Sequence, residues 1–222
     1  MKDQLKLELI QHMGSDQMIA NAARVSTNTD TTNKPYEGLL GYLAGNGHLS
    51  PFEHNSITFR VEAPLFVRDQ WVRHRTQSYN CLSLRYTNLD LDGPLQESFY
   101  IPDEFRPLEN EGSKAHPKLL KKPDESLYES FMDSYFMTLS EARGAYNTMI
   151  AMGVAEEVAR MVLPSCTMTK FYATANLRNW FAFVKERDSM DAQWEIRVLA
   201  REVSHILQDL FPVAWNALKE AM

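Results

Sequence analysis

A chain of 222 residues, 44% hydrophobic and 23% charged, has the size and make-up of one globular domain. Collagen-like, disordered and disulfide-scaffold classes are excluded, and a chain this long buries about 70% of its unfolded surface without a metal or disulfide staple. The net charge of −6 supplies no general basic field for nucleic acid, so any polyanion contact must come from a local cluster.

In chain order, 16–26 reads as a short helix, with Met18, Ala22 and Val25 at helical spacing. A second helix spans 36–46 and stops before Gly47. Residues 56–63 alternate, Ile57, Phe59, Val61 and Ala63 apolar between polar neighbours, which predicts a strand. Pro64 then opens a helix to about Arg75. The stretch 90–125, rich in Pro, Gly and charge, reads as an irregular surface excursion within the single domain 1–222. The longest helix covers 124–152, at 1.5 Å per residue about 40 Å, and Gly153 marks its stop. A helix at 154–163, a strand at 165–174 and helices at 177–187 and 192–210 complete the chain, an α+β fold that is mostly helical. In the last helix Ala192, Ile196, Leu199, Val203, Ile206 and Leu210 form a narrow stripe suited to core packing or to a subunit contact.

No run approaches the roughly 18 apolar residues of a membrane span, and the N-terminus lacks an apolar signal core, so no membrane partner is expected. Two cysteines, Cys81 and Cys166, fit a reducing compartment, hence the cytoplasm, or the host cytoplasm for a viral gene. The glycines form no GxGxxG and no phosphate loop, and His48, Glu53 and His54 do not make HExxH, so neither a Rossmann dinucleotide site nor a metal site is expected.

The densest chemistry is QWVRHRTQSYNCLSLRY, residues 70–86. The helix before it carries Leu65, Phe66, Val67, Trp71 and Val72 all round, a pattern of buried helices. Its end holds Arg73, His74 and Arg75, and buried cations need partners. Either the protein's own carboxylates supply them or an anionic ligand does. Arginine forks suit phosphate and carboxylate oxygens, and Gln70, Ser78, Asn80 and Ser83 add short hydrogen-bonding groups. A non-catalytic nucleotide- or RNA-binding module, stacking bases on Trp71, Tyr79 and Tyr86, is the alternative use of this cluster.

Arg73-His74-Arg75, then Ser78, Asn80, Ser83 and Arg85 at their spacings, resembles the signature of the flavin-dependent thymidylate synthases. The islands Ala22-Ala23-Arg24-Val25-Ser26, Gly47-His48, Pro51-Phe52-Glu53-His54, Phe99-Tyr100-Ile101-Pro102, Glu157-Val158-Ala159-Arg160, Leu163-Pro164, Asn176-Leu177-Arg178, Arg187 and Ala192-Gln193-Trp194-Glu195 are similar too. The resemblance runs from about Asp16 to Trp215. It implies a mostly helical α+β fold with a small, mainly antiparallel sheet. It implies conversion of dUMP to dTMP, with methylenetetrahydrofolate as carbon donor and FAD, reduced by NADPH, as hydride source. It also implies a homotetramer whose active sites are shared between subunits, and no nucleic-acid partner.

Residue by residue, the resemblance assigns Arg73, His74 and Arg75 to the flavin, with Ser50, Asn176 and Arg178 as further flavin contacts and Ser26 a weaker one. Gln70, Arg73, Ser83, Leu84, Arg85 and Arg160 match dUMP contacts. Arg187 matches the cation that stabilises the uracil anion, and His48 the histidine near flavin and folate or nicotinamide; these two are the catalytic candidates. Cys81 takes a flavin-contacting position where relatives often carry Glu or Gln, and Ala182 one where some carry Asn. From the residues alone, Ser83 lacks an arranged base and reads as a binding group. Arg160 has Glu156 at helical spacing as an alternative partner. Arg187 suits a helix C-terminus and Asn176 a helix N-cap.

Overall fold

Alternation shapes β2 and glycine stops close α2 and α5 in the computed structural model, which describes residues 4–28, 34–87, 93–102, 108–113, 116–119 and 125–221. The elements are β1 (Lys6–Met13), α1 (Asp16–Arg24), α2 (Glu37–Gly45), β2 (Ser56–Pro64), α3 (Leu65–Trp71) and β3 (Ser78–Cys81). There follow α4 (Leu95–Ser98), β4 (Leu108–Ser113), β5 (His116–Leu119), α5 (Glu125–Ala151), α6 (Glu156–Ala159), β6 (Met168–Ala175), α7 (Leu177–Arg187), α8 (Trp194–Leu210) and α9 (Pro212–Glu220). One sheet has the order β1-β2-β6-β3, with β1 antiparallel to β2 and β3 antiparallel to β6; β4 and β5 form an antiparallel hairpin. The α+β, mostly helical expectation holds.

The contacts cluster into two compact units, neither a continuous stretch of chain. The first comprises Met1–Gln4, Ala63–Arg68 and Leu82–Thr169; the second comprises Leu5–Glu62, Asp69–Cys81 and Lys170–Met222.

In the second unit, the buried side chains of β2 are the apolar ones expected from alternation, Ile57, Phe59 and Val61. Trp180 packs edge-on to Phe59 at 5.0 Å and gives its indole N–H to the Ile57 carbonyl. Trp71 lies among Phe171, Trp180 and Phe183, its ring centroid 4.3 Å from that of Phe183. α2 stops at Gly45, before Gly47 as expected, and the Gly47 φ of +70° lets the Gly47 and His48 amides bond back to Ala44 and Leu43. The stripe of α8 is core packing on α7, α9 and β1 rather than a free subunit face: Ile196, Leu199 and Val203 are buried.

In the first unit, Gln4 spans Gln96, Phe99 and Ile101 by three hydrogen bonds, and the Tyr135 hydroxyl donates to the Tyr100 carbonyl at 2.7 Å. α5 stops at Gly153 as expected, with φ +80° and the Gly153 and Val154 amides returning to Ile150 and Met149. The stretch 90–125 is less irregular than expected, since its described part holds α4 and the β4–β5 hairpin; Asp124, the expected start of the long helix, lies outside the described residues.

Three further differences have physical causes. β1 alternates Lys6 and Glu8 with the half-buried Leu7 and Leu9 for only four residues before Ile10 and a register irregularity between Leu9 and Gln11 break the pattern, so the edge strand carries a shorter signal than β2. The helix expected over 64–75 is confined to Leu65–Trp71, because Pro64 closes β2 and the Tyr79 hydroxyl lies 3.0 and 2.9 Å from the Trp71 and His74 carbonyls. Helix 154–163 is a single α-turn followed by a 3-10 turn at Arg160–Val162.

The buried Asp16 carboxylate caps α9 by accepting the Val213 and Ala214 amides, both at 2.9 Å. Asp16→Ala strands two amide donors and is expected to cost about 1–3 kcal/mol, read as a lower urea midpoint.

Candidate functional site

The cationic motif starts where α3 stops. The His74 amide bonds the Trp71 carbonyl at 3.1 Å and the Gln77 amide the His74 carbonyl at 3.2 Å, which turns the chain into β3. The buried Gln77 amide oxygen accepts the Trp71 indole N–H at 3.1 Å, while its Nε2 has no partner among the described residues. Burial lifts the Tyr79 phenol far above its ordinary pKa, so it stays a donor to the turn. The turn is thus pinned to the aromatic core by Trp71 and Tyr79, and this rigidity places His74.

Arg187, in the last turn of α7, lies against that turn. Its Nε donates to His74 Nε2 at 2.9 Å and its Nη2 to the Gln70 carbonyl at 3.2 Å; Glu186 Oε1 is 3.1 Å from the same Nη2. The two side chains are only 16% and 9% exposed, Arg187 and His74 respectively. The Phe183 ring meets the imidazole edge-on at 4.9 Å. Burial first, then the Arg187 cation, hold His74 below its ordinary pKa of 6.5, against an opposing pull from Glu186. Gln70 Nε2 donates to Gln193 Oε1 at 2.5 Å. An open cavity of about 590 Å³ beside Arg187 is lined by Ala182, Lys185, Glu186, Ser189 and Asp191.

Arg73 and Arg75 are exposed and, among the described residues, have no ion-pair partner. The expectation that these cations are buried and must be neutralised is therefore corrected for the single chain: the shortened helix leaves them in water. Asn176 caps α7 as expected, accepting the Asn179 amide at 3.0 Å. Arg178 pairs with Glu53. Cys81 ends β3 opposite Phe171, and neither it nor Cys166 is in a disulfide. His48 stacks at a tilt on Tyr42, centroids 6.4 Å apart. Among the described residues no hydrogen bond or ion pair ties His48 or the exposed Ser50 to the other candidates.

The first unit holds a second constellation. A cavity of about 240 Å³ is lined by Leu65, Arg68, Leu82, Leu84, Arg160 and Thr169, among others. Leu84 is buried, and the buried Thr169 hydroxyl has no hydrogen-bond partner among the described residues. Arg85 is held by Glu157, with Nε and Nη2 both 3.1 Å from one carboxylate oxygen, and its guanidinium lies 5.1 Å from the Tyr86 ring centre. Ser83 Oγ accepts the Arg85 amide at 3.4 Å. Arg160 donates to the Glu157 carbonyl at 3.4 Å rather than pairing with Glu156.

A family model described as thymidylate synthase complementing protein matches residues 8–213. A flavin-dependent thymidylate synthase from Thermus thermophilus is 40% identical over 220 residues, 96% of this chain and 75% of the relative. The chain belongs to the flavin-dependent thymidylate synthase family. Another member, from Thermosipho africanus, is 38% identical over 95% of this chain and 89% of its own. Among solved structures, a UMP/dUMP methylase PolB from Streptomyces cacaoi bound with 5-Br dUMP superposes with a TM-score of 0.84 at 32% identity, covering 97% of this chain and 95% of that one.

The resemblance divides Gln70 and Arg187 from His74, the first two with dUMP and the third with the flavin, whereas the structure brings these three together and places Leu84 and Arg160 around a separate cavity. Gln193, Glu186, Glu157, Arg68 and Thr169 were missed as site neighbours. Gln193 stood in a visible island, but no spacing rule joins it to Gln70, 123 residues away.

Tyr79→Phe removes the hydroxyl that lies within hydrogen-bond distance of the Trp71 and His74 carbonyls. It is expected to cost about 1 kcal/mol of stability, measured by urea unfolding, and to loosen the turn that carries Arg73 and Arg75.

Proposed function

We propose that this chain is a flavin-dependent thymidylate synthase that methylates dUMP to dTMP. The observation that carries the reading is the half-buried Arg187, whose Nε and Nη2 are engaged by His74 and the Gln70 carbonyl, while its Nη1 has no partner among the described residues. A cation held this way beside a pyrimidine favours the ring anion formed by loss of the N3 proton. Electron density then rises at ring carbon 5, the atom that must attack a one-carbon unit. A preorganised donor at developing charge lowers a barrier by about 3 kcal/mol.

Gln70 and Arg73 are the proposed partners of the uracil and sugar, and Ser83, Leu84, Arg85 and Arg160 of the rest of dUMP. The Glu157 carboxylate on the Arg85 fork stands in for an anion there. That exposed pair is worth little, so a phosphate dianion displaces it readily. The neighbour PolB is described as a UMP/dUMP methylase, which supports this substrate class.

The donor set also fits a flavin dinucleotide. Arg73 and Arg75 lack carboxylate partners among the described residues, and the buried Gln77 Nε2 lacks an acceptor, a set suited to a group rich in phosphate and carbonyl oxygens. Arg73, His74, Arg75, Cys81, Ser50, Asn176 and Arg178 are the residues proposed to hold FAD, with His48 near the flavin and the folate or nicotinamide. Bound FAD would supply the hydride that completes the methyl group. Methylenetetrahydrofolate as carbon donor, NADPH as reductant, a homotetramer with shared active sites and a cytoplasmic location complete the proposal. Two cysteines outside any disulfide agree with a reducing compartment.

The purified protein is expected to be yellow, to bleach with NADPH and to change its flavin spectrum on adding dUMP. Protein that takes up no FAD overturns the reading. Arg187→Ala is expected to abolish dTMP formation, assayed by tritium release from carbon 5, with the flavin spectrum retained. Arg160→Ala is expected to raise the KM for dUMP roughly tenfold, the scale of one lost charged hydrogen bond.

A further inference from the structure

The resemblance gives His74 a flavin-facing role, but its nearest polar partner is a side chain of this same protein. We propose that His74 is a positioning residue: its neutral imidazole, protonated at Nδ1, accepts from Arg187 Nε and so sets the direction of the guanidinium. The proposal rests on the reading of Arg187 as the cation at the pyrimidine.

The donor–acceptor inventory leaves one assignment. A guanidinium has only N–H donors, so the 2.9 Å contact requires a lone pair on His74 Nε2. The imidazole proton must then sit on Nδ1. A doubly protonated ring has no lone pair and would set two cations face to face. Position is equally constrained. The Phe183 ring packs against the imidazole, the His74 amide is tied to the Trp71 carbonyl and the Tyr79 hydroxyl lies 2.9 Å from the His74 carbonyl. The ring therefore has little freedom to follow a drifting arginine. With Nε on the ring and Nη2 on the Gln70 carbonyl, two contacts fix the planar fork, and its Nη1 edge is left pointing away from both.

The charged groups acting on His74 are Arg187, which disfavours a second proton, and Glu186, 3.9 Å from Nε2, which favours it. Burial adds to the Arg187 effect, so the acceptor state prevails at neutral pH. On acidification His74 gains a proton below its ordinary range, the acceptor is lost and Arg187 is released. The same sign holds for stability. The folded state binds this proton less readily than the unfolded chain, so stability present above the ordinary value of 6.5 falls as pH drops through the folded value.

The experiment uses the holoenzyme labelled with nitrogen-15 at histidine, with His74 assigned by its loss in H74Q. Long-range proton–nitrogen correlation is expected to show the Nδ1–H tautomer, titrating below the ordinary range and moving upward in R187Q. An Nε2–H tautomer, or a titration indifferent to R187Q, overturns the proposal. In kinetics, H74Q retains an acceptor oxygen whereas H74L does not. H74L, assayed at saturating FAD, is expected to lose roughly 100-fold in kcat, the scale of a misplaced reacting group, with substantial rescue by H74Q. The acid limb of kcat/KM for dUMP is expected to follow the His74 titration and to shift in E186Q. Equal losses in kcat in H74L and H74Q at saturating FAD overturn it. Failure of the underlying functional reading is distinguishable: the wild type would then form no dTMP, while the tautomer and its dependence on Arg187 would still be seen.

Discussion

A guanidinium taken largely out of water must be compensated by fixed partners, and each partner then dictates where the charge can point. Arg187 is in this position. Its three contacts are a backbone carbonyl, an imidazole lone pair and a neighbouring carboxylate, of which only the carboxylate bears charge. Glu186 is more than half exposed, so it trims the charge without cancelling it. The result is a cation both held in place and electrically available. Arg73 and Arg75 solve the same desolvation problem in the opposite way, by staying in water, where they are free to meet an incoming anion.

The aromatic core of the second unit makes this arrangement stiff. Trp71, Phe171, Trp180 and Phe183 interlock at edge-on and tilted angles, burying large surfaces in defined orientations. Trp71 lies at the end of α3 and Phe183 one turn before Arg187, so a single cluster orients both sides of the cationic contact. Tyr79 adds the hydrogen bonds that stop α3 before the motif. An uninterrupted helix over 64–75 would have carried Arg73, His74 and Arg75 around three different faces. The break turns them into a loop that presents the two arginines outward and the histidine inward.

Much of this was legible in the chain. The alternation of β2, the glycine stops of α2 and α5, the limits of α7 and the cap at Asn176 follow from local rules that the rest of the molecule did not override. β1 was missed because the alternation in KLELIQHM lasts only from Lys6 to Leu9, a short signal on a mostly exposed edge strand. β3 was hidden inside the cationic motif, four residues whose strand character comes from pairing with β6. The hairpin in 90–125 left no alternating signal among its prolines and charges.

For the site, residue types and their spacing narrowed the chemistry: three arginines, a histidine and short hydroxyl and amide groups within seventeen residues suit oxygen-rich anions, a ligand's or the protein's own, and the fuller pattern resembles the flavin-dependent thymidylate synthases. Which cation is spent on structure and which is left for a ligand was decided only in three dimensions. Pairings such as Arg187 with His74, Gln70 with Gln193 and Arg85 with Glu157 join residues 72 to 123 positions apart. Hydrogen-bond partners at such separations are set by how helices and strands pack, and no local preference along the chain encodes that geometry.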